Sequence, residues 1–268
     1  MQPNTICFIN QKGGCGKSSS CFHLAGYFAA LGLNVLVVDA DPQGSLSQGF
    51  FGSEAVENLP ARETLAAVFA DDEMARADVL VRPTQFERIS VIRANAHLAQ
   101  YNTPQPERTG LKQFTLANFL ETAFADLILI DCPPNLYQCS WNAMLASNYV
   151  MIPVPPEDFA TQGLRTVHQA IEQAQSLMPY LTLLGHLVIR ADARLLVHRT
   201  FEQQLRRLYG ATVLSTVIPE ISAYKVALSC RHPVSFYAPN SRAAQLMNRL
   251  GEEVLNRISE ADIGRRIA

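Results

Sequence analysis

An apolar run, Ile6-Cys7-Phe8-Ile9, leads into Gln11-Lys12-Gly13-Gly14-Cys15-Gly16-Lys17-Ser18-Ser19, after which Phe22, Ala25, Phe28 and Ala29 fall at helical spacing. A strand that feeds a glycine loop opening a helix is the context a phosphate-binding loop requires. The glycines let backbone N–H groups turn inward around phosphate oxygens, and the helix N-terminus adds a potential that favours anions. In that setting Lys17 reaches the β- and γ-phosphates and the Ser18 hydroxyl ligates Mg²⁺, with Gly13, Gly14, Cys15, Gly16 and Ser19 completing the cradle. The general pattern G-x-x-x-x-G-K-[ST] is missed, because Gln11 stands where its first glycine belongs. What remains is K-G-G-x-G-K-S, with a second lysine, Lys12, ahead of the glycines.

The rest of the chain alternates strand and helix signals. The predicted strands are Thr5–Ile9, Asn34–Val38, Ile89–Arg93, Leu127–Ile130, Tyr149–Val154, Leu181–Ile189 and Thr212–Ile218, mostly continuous apolar runs. Such runs suit parallel strands covered on both faces. Helical patterns are clearest at Phe159–Leu177, Val197–Leu208 and Arg242–Ile258. The expected fold is therefore α/β: a doubly wound, mostly parallel sheet with helices on both faces and ligands at the carboxyl ends of its strands. With 268 residues, 48% of them hydrophobic, the chain can bury one sizeable core, and it reads as a single domain over 1–268. Pro104, Pro106 and Gly110 mark Asn102–Gly110 as a surface loop rather than a linker.

No apolar run approaches the length of a membrane span, and the first residues lack the basic and apolar regions of a signal peptide. A cytoplasmic protein is expected. The cysteines at 7, 15, 21, 132, 139 and 230 lack paired metal spacing and read as small buried hydrophobes.

The glycine loop resembles the deviant Walker A signature of the ParA/MinD family of ATPases, and three further motifs carry the resemblance. Val35 to Gly44 ends a strand in D-x-D-P-Q-G, Leu127 to Pro134 is similar to the family's Walker B strand, and Thr216-Val217-Ile218-Pro219 to its late adenine-pocket strand. The matches keep the family's order to about residue 240. The resemblance implies ATP and Mg²⁺ as ligands. It assigns Asp41 to the attacking water, Asp39 to the metal shell, and Asp131 to the metal through a bound water. It gives Lys12 and Lys17 catalytic roles, Lys12 by crossing a dimer interface to touch the partner's nucleotide. Pro219 would supply a backbone contact to the base, with Arg190 ending the preceding strand. The family usually follows that proline with Arg-Asn, whereas this chain has Glu220-Ile221.

Net charge is −2 overall, yet between Arg190 and Arg249 nine basic residues face only Asp192, Glu202 and Glu220. Such a patch is the footprint of phosphate-backbone contact without sequence reading, although arginines on solvated helix faces give the same count. By resemblance to ParA proteins, Arg194, Lys225, Arg231 and Arg242 are the candidate DNA contacts. The expected protein dimerises on ATP, binds DNA nonspecifically over the nucleoid, and is stimulated by a ParB-like or cargo-adaptor partner.

Two other uses of the same engine stay open. A MinD-like positioning ATPase would need an interfacial helix at its end. There Leu250, Val254 and Ile258 have helical spacing, but Glu252, Glu253, Glu260 and Asp262 share the segment with Arg265 and Arg266. That helix is expected to pack on the core, without a membrane partner. A soluble metabolic or assembly ATPase would need a cysteine pair or cluster motif.

Overall fold

The computed structural model describes residues 3–70, 75–157 and 160–267. Its centre is an eight-stranded sheet: β1 (Asn4–Phe8), β2 (Val35–Asp39), β3 (Val81–Pro83), β4 (Ile89–Ile92), β5 (Leu127–Asp131), β6 (Tyr149–Val154), β7 (Thr182–Ala191) and β8 (Ile218–Pro219). The spatial order is β3-β4-β2-β5-β1-β6-β7-β8. All neighbours are parallel except β3, which pairs antiparallel with β4.

Side chains in a strand alternate between faces, so a strand covered on both sides is apolar throughout. In β1 and the residue that follows it, Ile6 and Phe8 point into one core while Cys7 and Ile9 point into the other. The first core receives the Lys17–Ala30 helix through Phe22, Leu24 and Phe28, and the Arg242–Ile267 helix through Met247, Leu250 and Val254. The second receives the Gln138–Leu145, Ala160–Leu177 and Leu196–Tyr209 helices. The fold is the doubly wound α/β sheet expected.

Several boundaries differ from the sequence reading. The antiparallel β3 was not anticipated; three residues ending in proline give almost no alternation signal. The helix expected from Phe159 runs Ala160–Leu177, Phe159 itself lying outside the described residues. The Asn102–Gly110 loop contains a 3₁₀ turn at Pro106–Arg108. The largest correction concerns Thr212–Ile218, of which only Ile218–Pro219 pairs as a strand besides a single bridge from Val213 to His186. Side chains take over its backbone groups. Glu253 accepts hydrogen bonds from the Ser215 and Thr216 N–H groups (2.7 and 2.8 Å), while Arg206 donates to the Leu214 carbonyl (3.0 Å) and Arg257 to that of Val213 (3.2 Å). The segment keeps strand-like composition because its apolar residues are buried, while its backbone is bonded partly by these side chains and, at the Leu214 N–H, by the β7 carbonyl of His186 (3.0 Å).

Candidate nucleotide site

The carboxyl ends of β1, β2, β5, β7 and β8 converge on a cleft of about 560 Å³. Its floor is the loop from Gly13 to Ser20; Asp41, Gln43, Ser45 and Pro134 border one side, and Ile189 to Glu220 residues of β7 and β8 with Tyr224 and Met247 the other. This is where an open parallel sheet places its ligands.

The loop conformation depends on its glycines. Gly14 and Gly16 have φ of +68° and +89°. A Cβ at Gly16 would also come within 2.7 Å of Ile189 Cδ1, so the loop packs against β7 only if residue 16 has no side chain. Gly16 caps the Lys17–Ala30 helix, which leaves the first N–H groups of that helix facing the cleft side of the loop. Lys17, 6% exposed, folds its ammonium onto the Asn10 and Lys12 carbonyls (3.1 and 3.3 Å). Burial raises the pKa of Cys15, which keeps this loop thiol protonated. Lys12, the residue before the cleft-lining Gly13, is partly exposed and pairs with Glu157.

The acidic residues divide into distinct environments. Asp131 is fully buried, and neither carboxylate oxygen makes a hydrogen bond of ordinary geometry. Burial and the neighbouring Asp39 push its pKa well above the usual carboxylate range, while the nearby Ser18 hydroxyl and Lys17 pull it back. An orphaned buried carboxylate beside a P-loop serine is what a hydrated divalent cation would satisfy, so the residues present fit Mg²⁺. Asp39 is different. One oxygen accepts from the Ser47 N–H and hydroxyl (2.8 and 2.7 Å), the other from the Asp41 N–H (3.1 Å). Burial lifts its pKa to about 7 despite those bonds. These bonds make Asp39 a tie between β2 and the Ser45–Phe51 helix. Asp41 lines the cleft and is held by the Gln43 N–H (2.9 Å).

At the opposite end, Arg190 has φ of +61°, which for a residue with a Cβ costs on the order of 1 kcal/mol. Its guanidinium donates to the Gly14 carbonyl (2.8 Å) and to Glu220 (2.9 Å), and Lys225 also pairs with Glu220. Pro219 lines the cleft beside them. Sequence reading placed Arg190 and Pro219 here and noted Glu220 only as a departure from the motif; it missed Tyr224 and Met247, which carry no motif signal.

The candidate DNA residues lie on separate elements. Arg194, 90% exposed, forks onto Asp192 (2.8 and 3.0 Å). Lys225 belongs to the nucleotide cleft. Arg231, at φ +58°, packs against Gly52, and Arg242 opens the last helix, exposed. Each of the three acids in this stretch pairs with a basic residue: Asp192 with Arg194, Glu202 with Arg206, Glu220 with Arg190 and Lys225.

With this geometry in view, the chain matches the AAA domain family model over residues 3–182. It is 33% identical to the chromosome-partitioning ATPase Soj of Thermus thermophilus over 264 residues, covering 96% of this chain and 97% of that one. Among solved structures it resembles the ATP complex of Cyanothece McdA, with a TM-score of 0.80 at 20% identity over 95% of this chain and 97% of that one. It also resembles cobyrinic acid a,c-diamide synthase of Mycobacterium smegmatis with bound ATP analog and magnesium, with a TM-score of 0.78 at 23% identity over 96% of each chain. Sheet, loop and full-length kinship together define a P-loop NTPase, and the chain belongs to the Soj/ParA family of partition ATPases.

Proposed function

We propose that this protein is an ATPase that dimerises on ATP, binds DNA without sequence preference, and distributes a cargo over the nucleoid, its hydrolysis stimulated by a ParB-like or cargo-adaptor protein. The observation that carries the reading is the division of labour between the two lysines of the loop. Lys17 lies buried beneath the glycines, within reach of its own phosphates, whereas Lys12, just ahead of them, stands 38% exposed, where a second subunit can meet it.

In the free protein the Lys17 ammonium rests on two carbonyls of its own loop. An incoming triphosphate offers a stronger acceptor, so Lys17 turns to the β- and γ-oxygens while the loop N–H groups cradle them. Mg²⁺ would be held by the Ser18 hydroxyl and the unpartnered Asp131 carboxylate, and would supply positive charge against the transferred phosphoryl group. Asp41, fixed by the Gln43 N–H, orients the attacking water. Pro219 supplies a main-chain edge to the base. Kinship with Soj supports the partition role, and exposed arginines such as Arg194, Arg231 and Arg242 supply the phosphate contacts.

The membrane alternative is disfavoured by the last helix, whose apolar residues Leu250, Val254 and Ile258 are buried against the sheet. The side chains of Arg265 and Arg266 lie outside the described residues. No helix among the described residues is long and apolar enough to cross a membrane. Among those residues no cluster of three or more His, Cys, Asp or Glu could hold a metal, so the cluster motif that the soluble metabolic or assembly reading calls for is not seen there.

Sedimentation with ATP and with ADP, on plasmid DNA and on anionic liposomes, tests the proposal. Wild type is expected to dimerise with ATP and to bind DNA in that state, while Lys12→Ala stays monomeric. Equal dimerisation of the two proteins, or ATP-dependent capture by liposomes and not by DNA, would overturn it.

A further inference from the structure

Glu220 follows the cleft proline, and the structure gives its carboxylate a defined task. Its two oxygens hold two cations: Oε2 accepts from Arg190 Nε at 2.9 Å, and Oε1 takes the Lys225 ammonium. Its own N–H donates to the Ala191 carbonyl at 3.1 Å, so the residue is anchored to β7 by backbone and side chain alike. Arg190, thus held, spends Nη1 on the Gly14 carbonyl at 2.8 Å. Its left-handed backbone is what directs the side chain across the loop, and β7 and β8 shift register at this point, between Ile189 and Ala191.

We propose that Glu220 is a positioning residue for nucleotide binding, acting through Arg190 on the phosphate loop. The chain of effects is short. Glu220 fixes the guanidinium; the guanidinium fixes the Gly14 carbonyl; and because C=O and N–H point in opposite directions across a planar peptide, the direction of the Cys15 N–H is fixed with it. A loop whose donors are aligned before the phosphates arrive loses less freedom on binding them. Gly14, free to adopt many conformations, is the loop residue that most needs such a constraint. The fork geometry matters, since a planar guanidinium can serve a carboxylate and a carbonyl at fixed angles where an ammonium cannot. The task is specific to the phosphates and independent of the base. It rests on the reading of this cleft as the ATP site.

Calorimetric titration of the full chain with Mg-ATP and with adenosine alone tests the assignment. Glu220→Gln is expected to weaken ATP binding by about tenfold, the loss of one charge-assisted hydrogen bond, and to leave adenosine within about twofold. Arg190→Ala should match it, and the double variant should bind no worse than Arg190→Ala, because both remove one unit. Glu220→Asp, which keeps the charge, should recover part of the loss. If Glu220→Gln does not fold, Arg190→Lys carries the same expectation for ATP. ATP affinity unchanged in Glu220→Gln, losses that add in the double variant, or an equal loss of adenosine binding would each overturn the proposal. A wild-type protein that binds no ATP would refute the nucleotide reading and this one with it; wild-type binding beside an indifferent Glu220→Gln refutes this one alone.

Discussion

His186 offers a quantitative test that is independent of nucleotide. It is fully buried on β7, with Nε2 2.9 Å from Nε2 of His168 and Nδ1 3.2 Å from the Thr212 hydroxyl. That hydroxyl donates to the Tyr209 carbonyl (2.8 Å), so it accepts from Nδ1–H, and Nε2 of a neutral His186 accepts from His168. Tyr209 covers both rings, with centroids at 4.4 and 5.0 Å. Burial lowers the His186 pKa to about 4, with His168 and Arg257 adding repulsion against a small opposing contribution from Thr212. Burial also lowers that of His168, against the pull of Glu172. The folded pKa lies below the unfolded value of 6.5, so the unfolded chain takes up the proton first. The contribution of His186 is intact above pH 6.5 and is lost as pH falls toward 4. A shift from 6.5 to about 4 corresponds to about 3 kcal/mol at its limit and about 2 kcal/mol at pH 5. Asp39 runs the other way, since its raised pKa stabilises the fold as pH falls below 7. The informative quantity is therefore the difference between wild type and His186→Gln in urea midpoint, measured from pH 7.5 to pH 5. The variant starts less stable through lost ring contacts, but its midpoint should fall less on acidification, by an amount equivalent to about 2 kcal/mol. Parallel curves for the two proteins would refute the reasoning.

Other outcomes follow from the same structure. Ser47→Ala removes the hydroxyl donor to Asp39, keeps the N–H donor, and leaves the buried Ala94 N–H without its acceptor; it should lower stability by about 2–3 kcal/mol, the loss being larger at pH 8 than at pH 6, as chemical denaturation at the two values would reveal. Asp41→Ala should dimerise on ATP and bind DNA yet lose stimulated turnover, read by phosphate release; unimpaired release would move water positioning to another group. Gly251→Val should destabilise the protein by several kcal/mol in thermal unfolding, since even a Cβ at this site would lie 2.1 Å from the Tyr27 ring. DNA affinity should fall steeply with salt, and Arg194→Ala should lower the log–log slope by about one unit without creating sequence preference.

What could be read from the sequence divides along physical lines. Continuous apolar strands and the glycine loop announce themselves because their residue types are dictated locally, by two-sided burial and by backbone freedom. The Thr212–Ile218 segment has the same composition, yet much of its backbone is bonded by side chains, Arg206 eight residues back and Glu253 and Arg257 far along the chain, and no local pattern reports them. Asp39 was legible from its motif, but its tie to Ser47, eight residues on, was not. The excess of basic residues between Arg190 and Arg249 was legible as a count. Its partition into paired residues, a cleft-lining Lys225 and exposed arginines is a property of three-dimensional placement alone.

The side-chain capping of the last sheet segment bears on how copies of this chain can meet. At one border of the sheet, Glu253, Arg206 and Arg257 occupy backbone groups that a visiting strand would use, and β8 ends after two residues in Pro219. At the other border, β3 is three residues long and ends in Pro83. Neither offers an extended row of open donors and acceptors, which is how sheets are protected from lateral fusion into fibres. Association is thereby steered away from the flanks and toward the end of the sheet where the strands finish. For the proposed cycle of pairing and separation this arrangement is favourable, because contacts made there can be switched by what occupies the cleft, whereas a shared strand could not.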